Sequence, residues 1–309
     1  MNILVSGSLA YDRIMDFQGR FSDHILPEKI HVLNVSFTVN NLTEKFGGTA
    51  GNIAYGLSLL GEKPSIIATI GRDYHSYFDW LTKNNISHDG ITIIEQELTA
   101  GAYITTDQAD NQITGFNPGA MKFPSSFDFG KITAQESIAI VAPGNLEDMM
   151  NFSTMYKSKG IDYIFDPGQS LPLWNSADLI KCIDDSRILI SNDYELELII
   201  RKTGLDKKKL LQRTNTIITT LGEYGSCVCT PDYEIDIPAI KPNEVVDPTG
   251  AGDAYRAGLI RGLVQNLNTK RSAEMGSVCA SFAIEHYGTQ EYYFSLMDFE
   301  KRLYIYPQN

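Results

Sequence analysis

Residues 247–264 read DPTGAGDAYRAGLIRGLV. From Gly250 onward the segment has good helix formers and apolar positions at helical spacing, so Gly250, Ala251 and Gly252 stand where a turn becomes a helix N-terminus. The first N–H groups of a helix have no partner inside it, and the helix dipole is positive at that end. Together they make an anion site, and glycine lets the backbone come close to a phosphate. Asp253 lies on the first turn beside that site. A carboxylate there can take a proton from a hydroxyl while amides stabilise charge on a transferring phosphoryl group, or it can simply complement the helix dipole. Two other phosphate motifs do not fit. A dinucleotide fingerprint needs glycine at position 255, which is Tyr255, and Gly-Lys-Ser/Thr occurs nowhere.

Upstream of this segment, apolar runs alternate with helical patterns. Residues 2–6, 64–70, 137–142, 163–165, 188–191 and 216–220 read as buried strands, and 51–60, 73–84, 146–159, 173–183 and 194–202 read as helices. Tyr77, Phe78 and Leu81 form the expected inner face of the second of these helices. The alternation predicts an α/β fold, a mainly parallel central sheet with helices on both faces, whose ligands bind beyond the carboxyl ends of the strands. Two stretches break the pattern. In 12–46, HVLNVSFTV (residues 31–39) alternates like a half-exposed strand; in 101–117, AYITTD and NQITGF flank a polar turn at 108–111. Both read as strand pairs without helices, a small β-sheet lid formed by about 13–46 and 98–120 on a single domain spanning 1–309.

The 309 residues carry a formal charge of -12, which argues against a nucleic-acid partner and requires local donors and a metal ion to hold an anionic substrate. Cys182, Cys227, Cys229 and Cys279 form no Cys-x-x-Cys pair; Cys227 and Cys229 alternate on one face of an expected strand and read as buried reduced thiols. The N-terminus MNILVSGS has no basic leader, and no apolar run is long enough to span a membrane, so the cytoplasm is the expected location.

A second glycine-rich entry, FGGTAGNIA at 46–54, places Asn52 on the first turn of a helix, where its amide can both donate to and accept from a sugar diol. This element near the N-terminus and DPTGAGD near the C-terminus resemble the two signatures of the ribokinase-like (phosphofructokinase-B) sugar and nucleoside kinase family, in their order and separation. GSLAYDRIMDF, GRFSDHILPE, GFNPGAM, SNDYE and YGTQE are similar to its bacterial adenosine kinase branch. The resemblance covers essentially the whole chain and implies a ribokinase-like fold that phosphorylates the 5′-hydroxyl of adenosine with ATP. Another nucleoside or a free sugar is the nearest alternative, and a non-catalytic ligand-binding regulator a more distant one.

The resemblance assigns Asp253 as catalytic base, with the amides of Gly250, Ala251 and Gly252 as its anion hole. It assigns Asp12 as the grip on two sugar hydroxyls, Gly48 and Asn52 as further ribose contacts, and Ser8 and Ser36 as pocket lining. Phe116 is the aromatic expected on the purine, and Gln169 reaches the base or the closed lid. Asn192 and Glu195 match an Asn-x-x-Glu element that organises Mg²⁺ and phosphate, Glu195 through water. Thr220, Gly222 and Gly225 match the nucleotide-binding strand end and loop, and Arg256 could pair with phosphate or stand on the surface. Asp247 and Thr249 lie where the ligands of a monovalent cation, K⁺, would come from. The implied partners are small molecules and a second copy of the chain docked through the lid. Three positions depart from the pattern: Thr49 replaces the lysine of ribokinases proper, Ala102 stands where the branch has a second lid aromatic, with Tyr103 beside it, and Ser170 follows Gln169 where a second glutamine is usual.

Overall fold

The buried apolar runs assemble as parallel strands because each is covered on both faces. The computed structural model describes residues 1–109 and 111–306; Asp110, in the turn expected at 108–111, lies outside the described residues. In chain order the strands are β1 (Asn2–Ser6), β2 (Ala10–Phe17), β3 (Val39–Gly47), β4 (Pro64–Gly71), β5 (Ile91–Ile94), β6 (Ala100–Thr106), β7 (Gln112–Asn117), β8 (Ser137–Val141), β9 (Asp162–Phe165), β10 (Ile188–Asn192), β11 (Ile217–Thr220), β12 (Ser226–Cys229) and β13 (Glu234–Ile237). The α-helices are α1 (Thr49–Leu59), α2 (His75–Lys83), α3 (Leu146–Lys159), α4 (Ser176–Ile183), α5 (Asp193–Thr203), α6 (Lys207–Leu210), α7 (Ala251–Val264), α8 (Thr269–Ala283) and α9 (Leu296–Leu303).

The main sheet has nine strands in the order β13-β12-β11-β10-β9-β8-β1-β4-β5, parallel except that β12 runs antiparallel to both its neighbours. Successive residues of a strand point to opposite faces, so two cores form. Val5, Ile140, Ile164, Ile190 and Ile218 pack against α1, α7 and α8, while Leu4, Val141, Phe165, Leu189 and Ile217 pack against α3, α4 and α5. Each such side chain removed from water contributes about 1.5–3 kcal/mol. Ligand sites in a sheet of this kind fall at the carboxyl ends of the strands, where Asp166, Asn192 and Thr220 lie.

A second sheet of four strands, in the order β3-β2-β6-β7, sits apart from the first. It accounts for both stretches that broke the helical alternation, with one correction. Residues 31–39 do not form a strand: Pro27–Val32 is a 3-10 turn, the following residues are irregular, and β3 begins only at Val39. Val32 and Leu33 are exposed, and although Phe37 packs on Phe17 and Phe21, the stretch before Val39 pairs with no neighbouring strand. The helix expected over 173–183 is also shorter. Gly168–Leu173 forms a 3-10 turn containing Pro172, and α4 starts after Asn175, whose side chain accepts from the Asp178 N–H. All four cysteines are free and buried, and Cys227 and Cys229 share a face of β12.

Candidate active site

Asp253 reaches its position through a close crossing of α1 and α7. Gly56 makes the crossing possible: a Cβ there would lie 2.7 Å from the Ala257 Cβ. Gly250 caps α7 in the left-handed region, at φ 79°. With the helices in contact, the Asn52 amide donates from Nδ2 to Asp253 Oδ2 at 2.8 Å. Burial pushes the Asp253 carboxyl up to about 6, with Asp166 and Glu195 adding to the rise and the Arg256 guanidinium and the Asn52 hydrogen bond opposing it. A carboxylate so placed is mostly ionised near neutral pH and still basic enough to take a proton. The Ala251 amide donates to the Pro248 carbonyl at 3.2 Å, so the turn itself occupies one of the three amides expected at the anion hole.

Arg256 is neither a surface arginine nor free. It is buried, its Nε donates to Asp166 Oδ2 at 2.5 Å, and a terminal nitrogen donates to the Gly252 carbonyl at 2.8 Å. The pair ties the end of β9 to the first turn of α7. The other oxygen, Asp166 Oδ1, is buried without a partner.

Beyond Asp253 opens a cleft of about 1090 Å³, lined among others by Asn192, Glu195, Thr220, Gly222, Gly225 and Gln169. Asn192 and Glu195 form a reciprocal capping box at the head of α5, with the Glu195 N–H donating to Asn192 Oδ1 at 2.7 Å and the Asn192 N–H donating to Glu195 Oε2 at 2.9 Å. Burial raises the Glu195 carboxyl above its ordinary value. Asp247 accepts from the N–H groups of Thr249, at 2.9 Å, and Gly288, at 3.1 Å, so its carboxylate braces the glycine turn. Among the described residues no three His, Cys, Asp or Glu side chains gather as a metal-binding group. What the cleft offers a divalent ion is the unpartnered Asp166 Oδ1 and the Glu195 carboxylate, a donor set suited to an ion that keeps its waters and phosphate ligands.

The remaining expected residues lie toward the second sheet. Gly48 sits at φ 90°, where a Cβ would come within 2.6 Å of the Ser8 carbonyl, so only glycine brings β3 into α1. The Ser8 hydroxyl accepts from the Thr49 N–H at 3.0 Å and is therefore engaged in starting α1. Ser36 stands exposed on the stretch before β3, and Gln169 is exposed at the cleft. Strand register aligns Lys45, Asp12, Ala102 and Phe116 in one row across the second sheet, so their side chains share a face. Two strand spacings of about 4.8 Å put Phe116 roughly 10 Å from Asp12. Burial and the nearby Asp247 raise the Asp12 carboxyl, while Lys45 opposes them. Tyr103 faces the other way, accepting a hydrogen bond from Arg13 at 3.0 Å, so it does not replace the aromatic missing at Ala102.

Sequence reading missed two residues of the site. Asp166 precedes Gly168 and Gln169 in the DPGQS stretch and carries the ion pair with Arg256. Gln290, in YGTQE, donates from Nε2 to Asn52 Oδ1 at 3.0 Å. Position at the carboxyl end of a predicted strand was a usable signal for Asp166; for Gln290 the resemblance of YGTQE marked the segment but gave the residue no role.

A carboxylate beside a glycine-capped helix head, at the carboxyl ends of parallel strands and at the edge of a large cleft, is the arrangement of a phosphotransferase that acts on an alcohol group. The chain belongs to the pfkB family of carbohydrate kinases, whose family model it matches over residues 9–293. Relatives within that family that are 30% identical or more include nucleoside kinases. One, from Methanocaldococcus jannaschii, is 32% identical over 85% of this chain and 87% of its own length, and one from Methanothermobacter thermautotrophicus is 30% identical over 94% and 91%. The structure of Burkholderia thailandensis nucleoside kinase in complex with inosine superposes with a TM-score of 0.86 and 36% identity, covering 98% of this chain and 97% of that one. The fold is thus ribokinase-like, and the chain phosphorylates a nucleoside or sugar. Among the described residues no helix is long and apolar enough to cross a membrane.

Proposed function

We propose that the protein transfers the γ-phosphoryl group of ATP to the 5′-hydroxyl of a purine nucleoside, with adenosine as substrate and Asp253 as the base. The observation that carries this reading is the shared face of Asp12 and Phe116 across the small Ala102. A carboxylate grips two ribose hydroxyls, and an aromatic ring about 10 Å away meets the base. The second sheet then acts as a lid that excludes water, so ATP is not hydrolysed. Asp253 takes the 5′-hydroxyl proton as the oxygen attacks in line. The amides at the head of α7 receive the phosphoryl charge. Asp166 and Glu195 would hold Mg²⁺, Glu195 through water, and the turn from Asp247 to Thr249 would suit K⁺; a bound divalent ion would supply neutralising charge to the phosphates. The same reading includes a homodimer through the second sheet, whose opposite face carries the exposed Leu42 and Ile113; sedimentation of the purified chain measures it.

Inosine is a second reading, favoured by the Burkholderia thailandensis relative bound to that nucleoside. Specificity constants from coupled ADP release with adenosine, inosine, guanosine and ribose decide between the readings. A protein that favours ribose would remove the nucleoside assignment and leave the family assignment standing.

Asp12→Ala is expected to raise the nucleoside KM about tenfold or more and the ATP KM little, since a hydrogen bond to a charged group is worth about 1.5–3 kcal/mol. An equal rise in both constants would make Asp12 structural. Phe116→Ala is expected to lower kcat/KM for the nucleoside about tenfold to hundredfold, the scale of base–aromatic stacking, and to leave any activity on ribose unchanged. A parallel loss on both substrates would take Phe116 out of base recognition.

A further inference from the structure

An indole N–H donates a hydrogen bond and cannot accept one. Trp80 Nε1 donates to Gln290 Oε1 at 2.8 Å, which leaves the Gln290 amino group on the other side. That group has two hydrogens and two acceptors, Asn52 Oδ1 and the Tyr77 hydroxyl oxygen, each at 3.0 Å. The Tyr77 oxygen is free to accept because its own proton goes to the Gly47 carbonyl at 2.7 Å. Asn52 Oδ1 is therefore an acceptor, and the amino group of Asn52 must face Asp253. Gln290 is 1% exposed, Tyr77 0% and Asn52 6%, so water is excluded from the links of Gln290 to Asn52 and Tyr77, while the Trp80 and Asp253 ends are part-buried. Inverting either amide would set two acceptors, or two donors, against each other in a dry site.

We propose that Trp80 and Gln290 are positioning residues that lock the Asn52 amide with its N–H groups toward Asp253, so that the carboxylate stays ionised and its second oxygen meets the acceptor hydroxyl. This rests on the reading of Asp253 as base. The charged and titratable groups facing Asp253 are Arg256 on its own helix, Asp166 after β9, Glu195 on α5 and Tyr292, while α1 faces it with the neutral Asn52 amide. Arg256 favours the ionised form as the Asn52 N–H does; the two carboxylates oppose it. None of these four groups lies between Trp80 and Asn52, so a change at Trp80 acts on Asp253 through the amides.

Trp80→Phe is the sharpest test. It keeps an aromatic ring between Phe46 and Tyr55 and removes the donor. With Gln290 then oriented by Tyr77 and Asn52 alone, its amide can turn over more readily, and Asn52 can present its carbonyl to Asp253. The midpoint of Asp253 protonation is read from the ¹³C signal of its carboxyl carbon in nucleoside-free protein, identified by its loss in Asp253→Asn. That midpoint should move to higher pH. The nucleoside kcat should fall about tenfold, the scale of one hydrogen bond to a charged group, with the ATP KM unchanged. Gln290→Leu, which breaks the relay without adding charge, should move the same two quantities further. If both variants keep the wild-type midpoint and kcat, or lose only thermal stability, the relay has no positioning role. A wild-type chain that releases no ADP with any nucleoside would overturn the functional reading instead, and the titration, which needs no substrate, would still decide the relay.

Discussion

Asp253→Asn is expected to lower turnover on a nucleoside by at least about 10²-fold, the usual scale for loss of a general base, with nucleoside binding nearly unchanged. The substitution keeps the shape at the head of α7 and leaves an oxygen for the Asn52 amide to donate to, so the loss comes from proton transfer. Because burial holds the carboxyl at about 6, wild-type activity should fall as pH drops below that value, and the variant's residual rate should lack this limb. Stability should respond with a sign of its own. A carboxyl raised from 3.8 to about 6 on folding binds its proton more tightly in the folded state. Its contribution to stability is full below 3.8 and is lost as pH rises through about 6. The variant should therefore gain thermal stability relative to wild type at pH 7, and that gain should vanish below 3.8. Near-normal turnover in a folded variant would remove Asp253 from the mechanism.

Arg256→Leu is expected to cost about 3–5 kcal/mol of folding stability, because it leaves the Asp166 charge buried with no counterion. Arg256 also donates to the Gly252 carbonyl, so the first turn of α7 loses its tie to β9. Urea unfolding by linear extrapolation measures the loss. Asp166→Asn combined with Arg256→Leu should recover much of it, since the uncompensated charge is gone. In catalysis, losing the guanidinium removes a charge that favours ionised Asp253, so the acid limb of the rate profile should move to higher pH. An Arg256→Leu protein that unfolds at the wild-type urea concentration would show that the pair contributes little.

The chain's local chemistry determined its architecture and one end of its site. Runs such as IAIV within β8 and ILI within β10 are read as buried strands because burial on both faces leaves an unbroken apolar signal. The turn into α7 is equally local, since Gly250 supplies its left-handed cap and helix formers follow it. Residues 31–39 show the limit of that logic: Phe37 meets buried aromatics, yet an alternating pattern becomes a strand only where a neighbouring backbone pairs with it, and that begins only at Val39. The partners of Asp253 lay beyond local reading. Asn52 is 201 positions away from it, Gln290 is 238 from Asn52, and Trp80 is 210 from Gln290. A hydrogen bond between single side chains leaves no periodic trace along the chain. Which amide faces which carboxylate, and whether Arg256 turns outward to solvent or inward to Asp166, was decided only when α1, α7 and the end of β9 packed together and excluded the water that would otherwise satisfy those groups.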